Sequence, residues 1–187
     1  LPIEFSSNIK YSESNFDEFR NYKFLKTTHN YFPASETPFV FNLASLDSHV
    51  NKMTLELCMK NIEIASETIT PIYSCHAGFA LDPKAKSLGG SFLFDVRDHD
   101  KYYDCFLTNL EKVLRYADKF GVTLLIENNV TIPQNYQNSY SPLFCSSFEE
   151  ILLLAQKFET SNFGILFDTA HYKVSSNTFH DEHLDIS

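Results

Sequence analysis

The sequence predicts an α/β protein built on a parallel sheet, and three observations carry that reading. Five near-continuous apolar runs of four to seven residues recur along the chain, the pattern of strands buried on both faces. Amphipathic helical segments separate the later runs. Long polar stretches follow the strands, whereas short ones lead back into them. Strand, helix and strand in repetition require right-handed crossovers and hence parallel pairing. Long connections gathered at one end of the strands are the layout of a (β/α) barrel, here an incomplete one of about five parallel strands with flanking helices. Residues 1–187 then form one partial barrel domain.

The elements follow in order. "PIEFS" (2–6) is the first strand, and a short helix is expected around 14–21. "KFLKTTHNYF" (23–32) reaches His29 after Phe24 and Leu25. Residues 48–69 place Val50, Met53, Leu57, Ala65 and Ile69 near one helix face, with Ser48 as N-cap. "PIYSCHAGF" (71–79) is a strand running to His76. A helix over 100–120 carries a stripe of Tyr103, Phe106, Leu110, Val113, Ala117 and Phe120, and Gly121 stops it. "GVTLLIENN" (121–129) runs to Glu127. Ser147 stands three before Glu150, a capping-box spacing, and opens a helix over 147–158 that buries Phe148, Ile151, Ala155 and Phe158. "FGILFDTAH" (163–171) runs to Asp168. The long polar stretches are 30–47, 77–99, 128–146 and 172 onward. An open doubly wound sheet shares this order, but no GxGxxG or P-loop accompanies it, and Gly89-Gly90 lies in a loop. The chain starts in a strand without Met and stops at "HLDIS" outside a finished element, which reads as a fragment.

Charge narrows the partners. The net charge is −9, and no cluster of Lys and Arg interrupts the acidity. Proteins that grip phosphodiester backbones carry a basic stripe, because counterion release supplies much of their affinity. Small substrates and divalent cations suit this chain better than nucleic acid does. No apolar run approaches the roughly 20 residues that span a bilayer, and no secretory leader pattern is visible. Cys58, Cys75, Cys105 and Cys145 are too far apart for a metal knuckle and read as reduced, mostly buried thiols of a cytoplasmic protein.

His29, His76, Glu127 and Asp168 each end a strand, with His171 one turn beyond. In a barrel those ends converge, and imidazoles with carboxylates can hold a divalent cation there. Each residue also has an ordinary structural use. His29 could hydrogen-bond within the core, His76 could brace the turn at Ala77-Gly78, Glu127 could cap or pair, and Asp168 could form an Asx turn. Taken together, four successive strands ending on ligand-type side chains favour a functional site. Asn128 and Asn129 would support the ligands or contact substrate, whereas His49, His99, His180 and His183 read as solvent-facing.

"HAGF" (76–79), "LLIENN" (124–129) and "FDTAH" (167–171), in that order, resemble the xylose isomerase-like TIM-barrel superfamily, which includes sugar phosphate isomerases and epimerases and the endonuclease IV branch. The resemblance spans nearly the whole chain and implies barrel strands two to six. It implies that Glu127 and Asp168 bind a divalent metal, Mn²⁺ or Mg²⁺ with Zn²⁺ open. It also implies that Glu127, His171 and His76 are catalytic, and that His29, His76, Asn129 and His171 contact a small sugar or sugar-phosphate substrate. The implied reaction is isomerisation or epimerisation through an enediolate. A strand-seven histidine and a strand-eight glutamate would complete the ligand set beyond this sequence, so the isolated stretch is expected to be weakly active or inactive. The endonuclease branch uses histidines on strands three and four, as His29 and His76 would be, but "AGF" lacks its Pro-Gly pattern. A barrel without catalysis is the remaining alternative.

Overall fold

A computed structural model describes residues 3–6, 12–83, 95–160 and 162–179. They form β1 (Ile3–Phe5), α1 (Glu13–Asn21), β2 (Lys26–His29), α2 (Ser48–Ser66), β3 (Ile72–His76), α3 (His99–Lys119), β4 (Thr123–Glu127), α4 (Phe148–Lys157), β5 (Phe163–Leu166) and α5 (Thr169–Phe179). The five strands pair in chain order and all run parallel, so the fold is the expected incomplete (β/α) barrel. No helix among the described residues is long and apolar enough to cross a membrane.

Register decides which side chains share a face. Glu4 aligns with Thr27, His29 with Ser74, and His76 with Glu127. Aligned residues of parallel strands point the same way, and alternation carries that face along each strand. Glu4, His29, Ser74, His76 and Glu127 therefore line one side of the sheet. The other side presents Tyr73, Cys75, Leu124 and Ile126 to Leu57, Ile62, Phe106, Leu110 and Val113 of α2 and α3, where all are buried in the main core. A smaller cluster, Phe19, Phe32 and Ile64 with Phe5 and Phe16 against it, seats α1.

Several local expectations shift. Asp47, not Ser48, caps α2, its carboxylate accepting from His49 N at 2.8 Å and Val50 N at 3.0 Å, because an acid at a helix start also meets the macrodipole. The helix ends at Ser66, and Ile69 beyond it is 78% exposed. Thr68 Oγ1 donates to Ala65 O, taking a carbonyl that another turn would have used. Phe24 and Leu25 are exposed and precede β2 rather than belonging to it. Ser147 and Glu150 do form the capping box of α4, yet Phe148 is exposed, since Ile151 and Leu154 take the inward face. Phe120 is likewise exposed, at the cap of α3. β1 and β5 are only partly covered, unlike the doubly buried strands expected, because each has one strand neighbour among the described residues. The polar stretch after 171 is helical as far as Phe179. His180, His183 and Gly89-Gly90 lie outside the described residues.

Loops at the strand C-termini are tied together by Asn42, which is fully buried. Its Oδ1 accepts from Phe79 N at 2.8 Å and Ala44 N at 3.0 Å, and its Nδ2 donates to Leu81 O at 2.9 Å. Gly78, at φ +124°, passes so close that an added Cβ would sit 2.3 Å from Asn42 Oδ1. Gly78→Ala should cost about 2–4 kcal/mol by combining backbone strain with a broken polar hub, read as a lowered urea midpoint at unchanged slope.

Candidate metal centre

Glu127 ends β4 almost fully buried, beside its register partner His76 at the end of β3. Its Oε2 lies 3.1 Å from His29 Nε2 and 3.7 Å from His76 Nε2, and its Oε1 lies 3.4 Å from His171 Nδ1. Asp168 approaches from beyond β5, with Oδ2 4.0 Å from His171 Nδ1. Two ligand groups result, His29–His76–Glu127 and Glu127–Asp168–His171, each with its donor atoms within 4.8 Å of one another. Both contain Glu127. The structure thus brings together His29, His76, Glu127, Asp168 and His171, five of the seven residues singled out in the sequence.

Local hydrogen bonding explains the placement of the second group. Asn128 clamps Asp168 at two points, accepting from its N at 2.6 Å and donating to its O at 3.0 Å, which extends the β4–β5 pairing past the last strand residue. Asp168 Oδ1 then accepts from Ala170 N at 2.7 Å and His171 N at 2.9 Å, starting α5 and turning His171 back over the sheet. His171 Nδ1 lies 2.9 Å from Asn128 O, a group that can only accept, so Nδ1 carries a proton and the lone pair of the neutral ring lies on Nε2. Asn129 is not in the cluster. It is buried, and its Nδ2 donates to Phe144 O at 2.8 Å, pinning the loop after β4.

Three further residues support the centre and escaped the sequence reading: Glu4, Asn30 and Ser74. Ser74 Oγ lies 2.9 Å from His29 Nδ1 and 3.3 Å from Glu4 Oε2. Asn30 bonds both His29 and the backbone of His76. Counting back two from His76 would have found Ser74 on the same face; Glu4 needed the β1–β2 register. His49 is exposed as expected, but His99 is not, being packed against Tyr140 and Phe144 with ring centroids at 4.9 and 5.1 Å.

Burial dominates the electrostatics. It pushes the Glu127 carboxyl up to about 7, with His171 pulling against it and Asp168 adding to it. Burial, then the neighbouring His29 and His171, drive His76 down to about 3. Burial also lowers His29. Asp168 is held below the usual carboxylate range, first by the hydrogen bond from His171 N. Near neutral pH, His29 and His76 are therefore uncharged and offer lone pairs beside two acids.

That donor set fits a divalent cation. His76 Nδ1 is buried with no hydrogen-bond partner among the described residues. His29 and His171 each rest one ring nitrogen on an oxygen, the way metal-ligating histidines are oriented. Mixed nitrogen and oxygen ligation admits Mn²⁺, Mg²⁺ or Zn²⁺.

The fold is thus a parallel βα array whose strand ends gather imidazoles and acids. Residues 5–184 match the model of the xylose isomerase-like TIM barrel family, and the chain belongs to that family. It is 22% identical to the uncharacterized protein MJ1311 of Methanocaldococcus jannaschii, over 95% of this chain and 60% of that one. Among solved structures it resembles a D-tagatose 3-epimerase-like protein, with 19% identity, a TM-score of 0.64, and coverage of 91% of this chain and 56% of the other. It also resembles an L-ribulose 3-epimerase, with 15% identity, a TM-score of 0.57, and coverage of 92% and 51%. The chain therefore spans between half and three-fifths of the length of these relatives.

The raised Glu127 pKa has a measurable consequence in the metal-free protein. Between about pH 4.5 and 7 the folded state keeps a proton that the unfolded chain has released, so this group's contribution to stability falls as pH rises through that window. Glu127→Gln lacks the loss. With a chelator present, the mutant's unfolding free energy relative to wild type should climb from pH 5 to about 7.5 and then level. A difference independent of pH would mean that Glu127 titrates alike in the folded and unfolded states.

Proposed function

We propose that this chain carries the acid and metal-holding part of a metal-dependent isomerase or epimerase, acting on a sugar or sugar phosphate through an enediolate. One observation carries the reading: a buried carboxylate, Glu127, sits at the strand ends among three imidazoles and a second acid. The epimerase names of two structural neighbours support it. Glu127 and Asp168 would hold Mn²⁺ or Mg²⁺, with Zn²⁺ compatible given the imidazoles. When bound, such a cation supplies Lewis acidity to the oxygens of a hydroxycarbonyl substrate.

The residues have distinct tasks. A carboxylate that holds the cation through one oxygen would keep the other to take a proton from carbon beside a carbonyl and return it, the step given to Glu127. His171, with its Nδ1 proton tied to Asn128 O, presents Nε2 to accept a hydrogen bond from a substrate hydroxyl. His76 orients a neighbouring hydroxyl or passes a proton between oxygens, and His29 backs the same carboxylate. Asn129 shapes the wall by holding the loop after β4 and touches substrate from there. Four free thiols, three of them buried, suit the cytoplasm.

The His29–His76–Glu127 group favours a second reading, metal-dependent phosphodiester hydrolysis in the manner of the endonuclease branch. The net charge of −9 weighs against a DNA substrate.

The full-length protein, given Mn²⁺ and a panel of ketoses and ketose phosphates in heavy water, should incorporate solvent deuterium beside the carbonyl and lose that activity with chelator. Glu127→Gln should reduce the exchange by roughly 10²-fold or more. Asp168→Asn should weaken Mn²⁺ binding measured by calorimetry. Cleavage of an abasic-site oligonucleotide without sugar exchange would replace the first reading with the second. Inertness toward both would remove both.

A further inference from the structure

Asn30 follows His29 directly and adopts a left-handed backbone, φ +43°, which asparagine tolerates better than other side-chain-bearing residues. Its main chain is tied down, with N donating to Ser74 O at 3.0 Å and O accepting from Asn61 Nδ2 at 3.4 Å. That conformation folds the buried carboxamide back between β2 and β3. Its two ends meet different partners. One faces the backbone N–H of His76 at 3.0 Å, and the other faces His29 Nε2 at 2.7 Å.

The His76 N–H can only donate, so the amide oxygen must face it and the NH₂ must face His29. A donor aimed at Nε2 requires that nitrogen to be the unprotonated one. The ring proton then sits on Nδ1, where Ser74 Oγ accepts it at 2.9 Å and can pass its own proton to Glu4 Oε2 or Thr28 O. Left to itself, His29 would be drawn to the opposite tautomer. Glu127 Oε2, 3.1 Å from Nε2, would attract a proton onto that nitrogen and make it a donor with no lone pair for a ligand.

We propose that Asn30 is a positioning residue that selects the Nδ1–H tautomer of His29 and so keeps an unprotonated Nε2 turned toward Glu127. The relevance to a bound cation rests on the function proposed above; the tautomer itself does not. Metal-site residues oriented by such outer partners lose affinity when the partner is removed.

The test is nitrogen-15 NMR of histidine-labelled, metal-free, full-length protein, with His29→Gln assigning the ring signals. Wild-type His29 should show the Nδ1–H pattern. Asn30→Asp keeps the shape but turns the donor into an acceptor, and should convert His29 to Nε2–H. Asn30→Gly keeps the left-handed backbone and deletes the amide; it should shift His29 toward Nε2–H, with Mn²⁺ affinity lowered roughly 10- to 100-fold. Shift dispersion elsewhere reports that each variant is folded, and if Asn30→Asp fails to fold, the wild type and Asn30→Gly still decide. Wild-type His29 as Nε2–H, or a tautomer unmoved by either substitution, overturns the proposal. Failure of the isomerase reading would look different: no sugar exchange and no Mn²⁺ binding in the wild type, with the tautomer pattern intact.

Discussion

The parallel register of β3 and β4 sets His76 and Glu127 side by side, and most of the unusual chemistry follows from burying that carboxylate there. An isolated ionised carboxylate is costly to remove from water, so the surroundings must supply a proton, a counter-charge or a cation. Two of the groups beside it, His29 and His76, are imidazoles that burial itself keeps neutral. A neutral imidazole compensates a carboxylate poorly unless it donates to it. In the Nδ1–H tautomer His29 does not, and His171 turns its Nδ1 proton chiefly to Asn128 O. The site thus either keeps a proton on Glu127 or offers its gathered lone pairs and carboxylates to a divalent ion.

Holding such a centre open requires stiffness behind it. The inner face is braced by asparagines. Asn42 joins the loops after β2 and β3, Asn128 joins β4 to the start of α5, and Asn129 holds the loop after β4. An amide offers a donor and an acceptor on one short stem without adding charge to an already acidic region. The opposite face of the sheet is apolar and packed against α2 and α3. The sheet therefore separates a dry structural side from a polar working side, and strand alternation alone makes that division.

Much of this was legible in the sequence because alternation and strand termini are local. The runs ending at His29, His76, Glu127 and Asp168 announced both the parallel sheet and the convergence of their last residues. What stayed hidden depended on register or on competition between neighbours. Ser74 and Glu4 become partners of His29 only once β1, β2 and β3 are aligned. Asp47 displaced Ser48 because two adjacent residues could cap and only the stronger acceptor does. The exposure of Phe148 reflects the rotation of α4 about its axis, which a three-residue apolar run such as Ile151–Leu153 leaves ambiguous.

Asp168 shows why structural and functional readings of one residue need not compete. Its Oδ1 is spent on the first amides of α5, as an Asx turn would have it, and that bond keeps the carboxyl ionised. The same turn carries His171 to Glu127 and leaves Oδ2 on the side of the cluster. A glutamate would have the charge but one methylene too many to fold back onto the amides two and three residues on, and an asparagine would cap without the charge. The helix start and the ligand group are thus one construction. The motif Asp-Thr-Ala-His is informative because it encodes both halves at once.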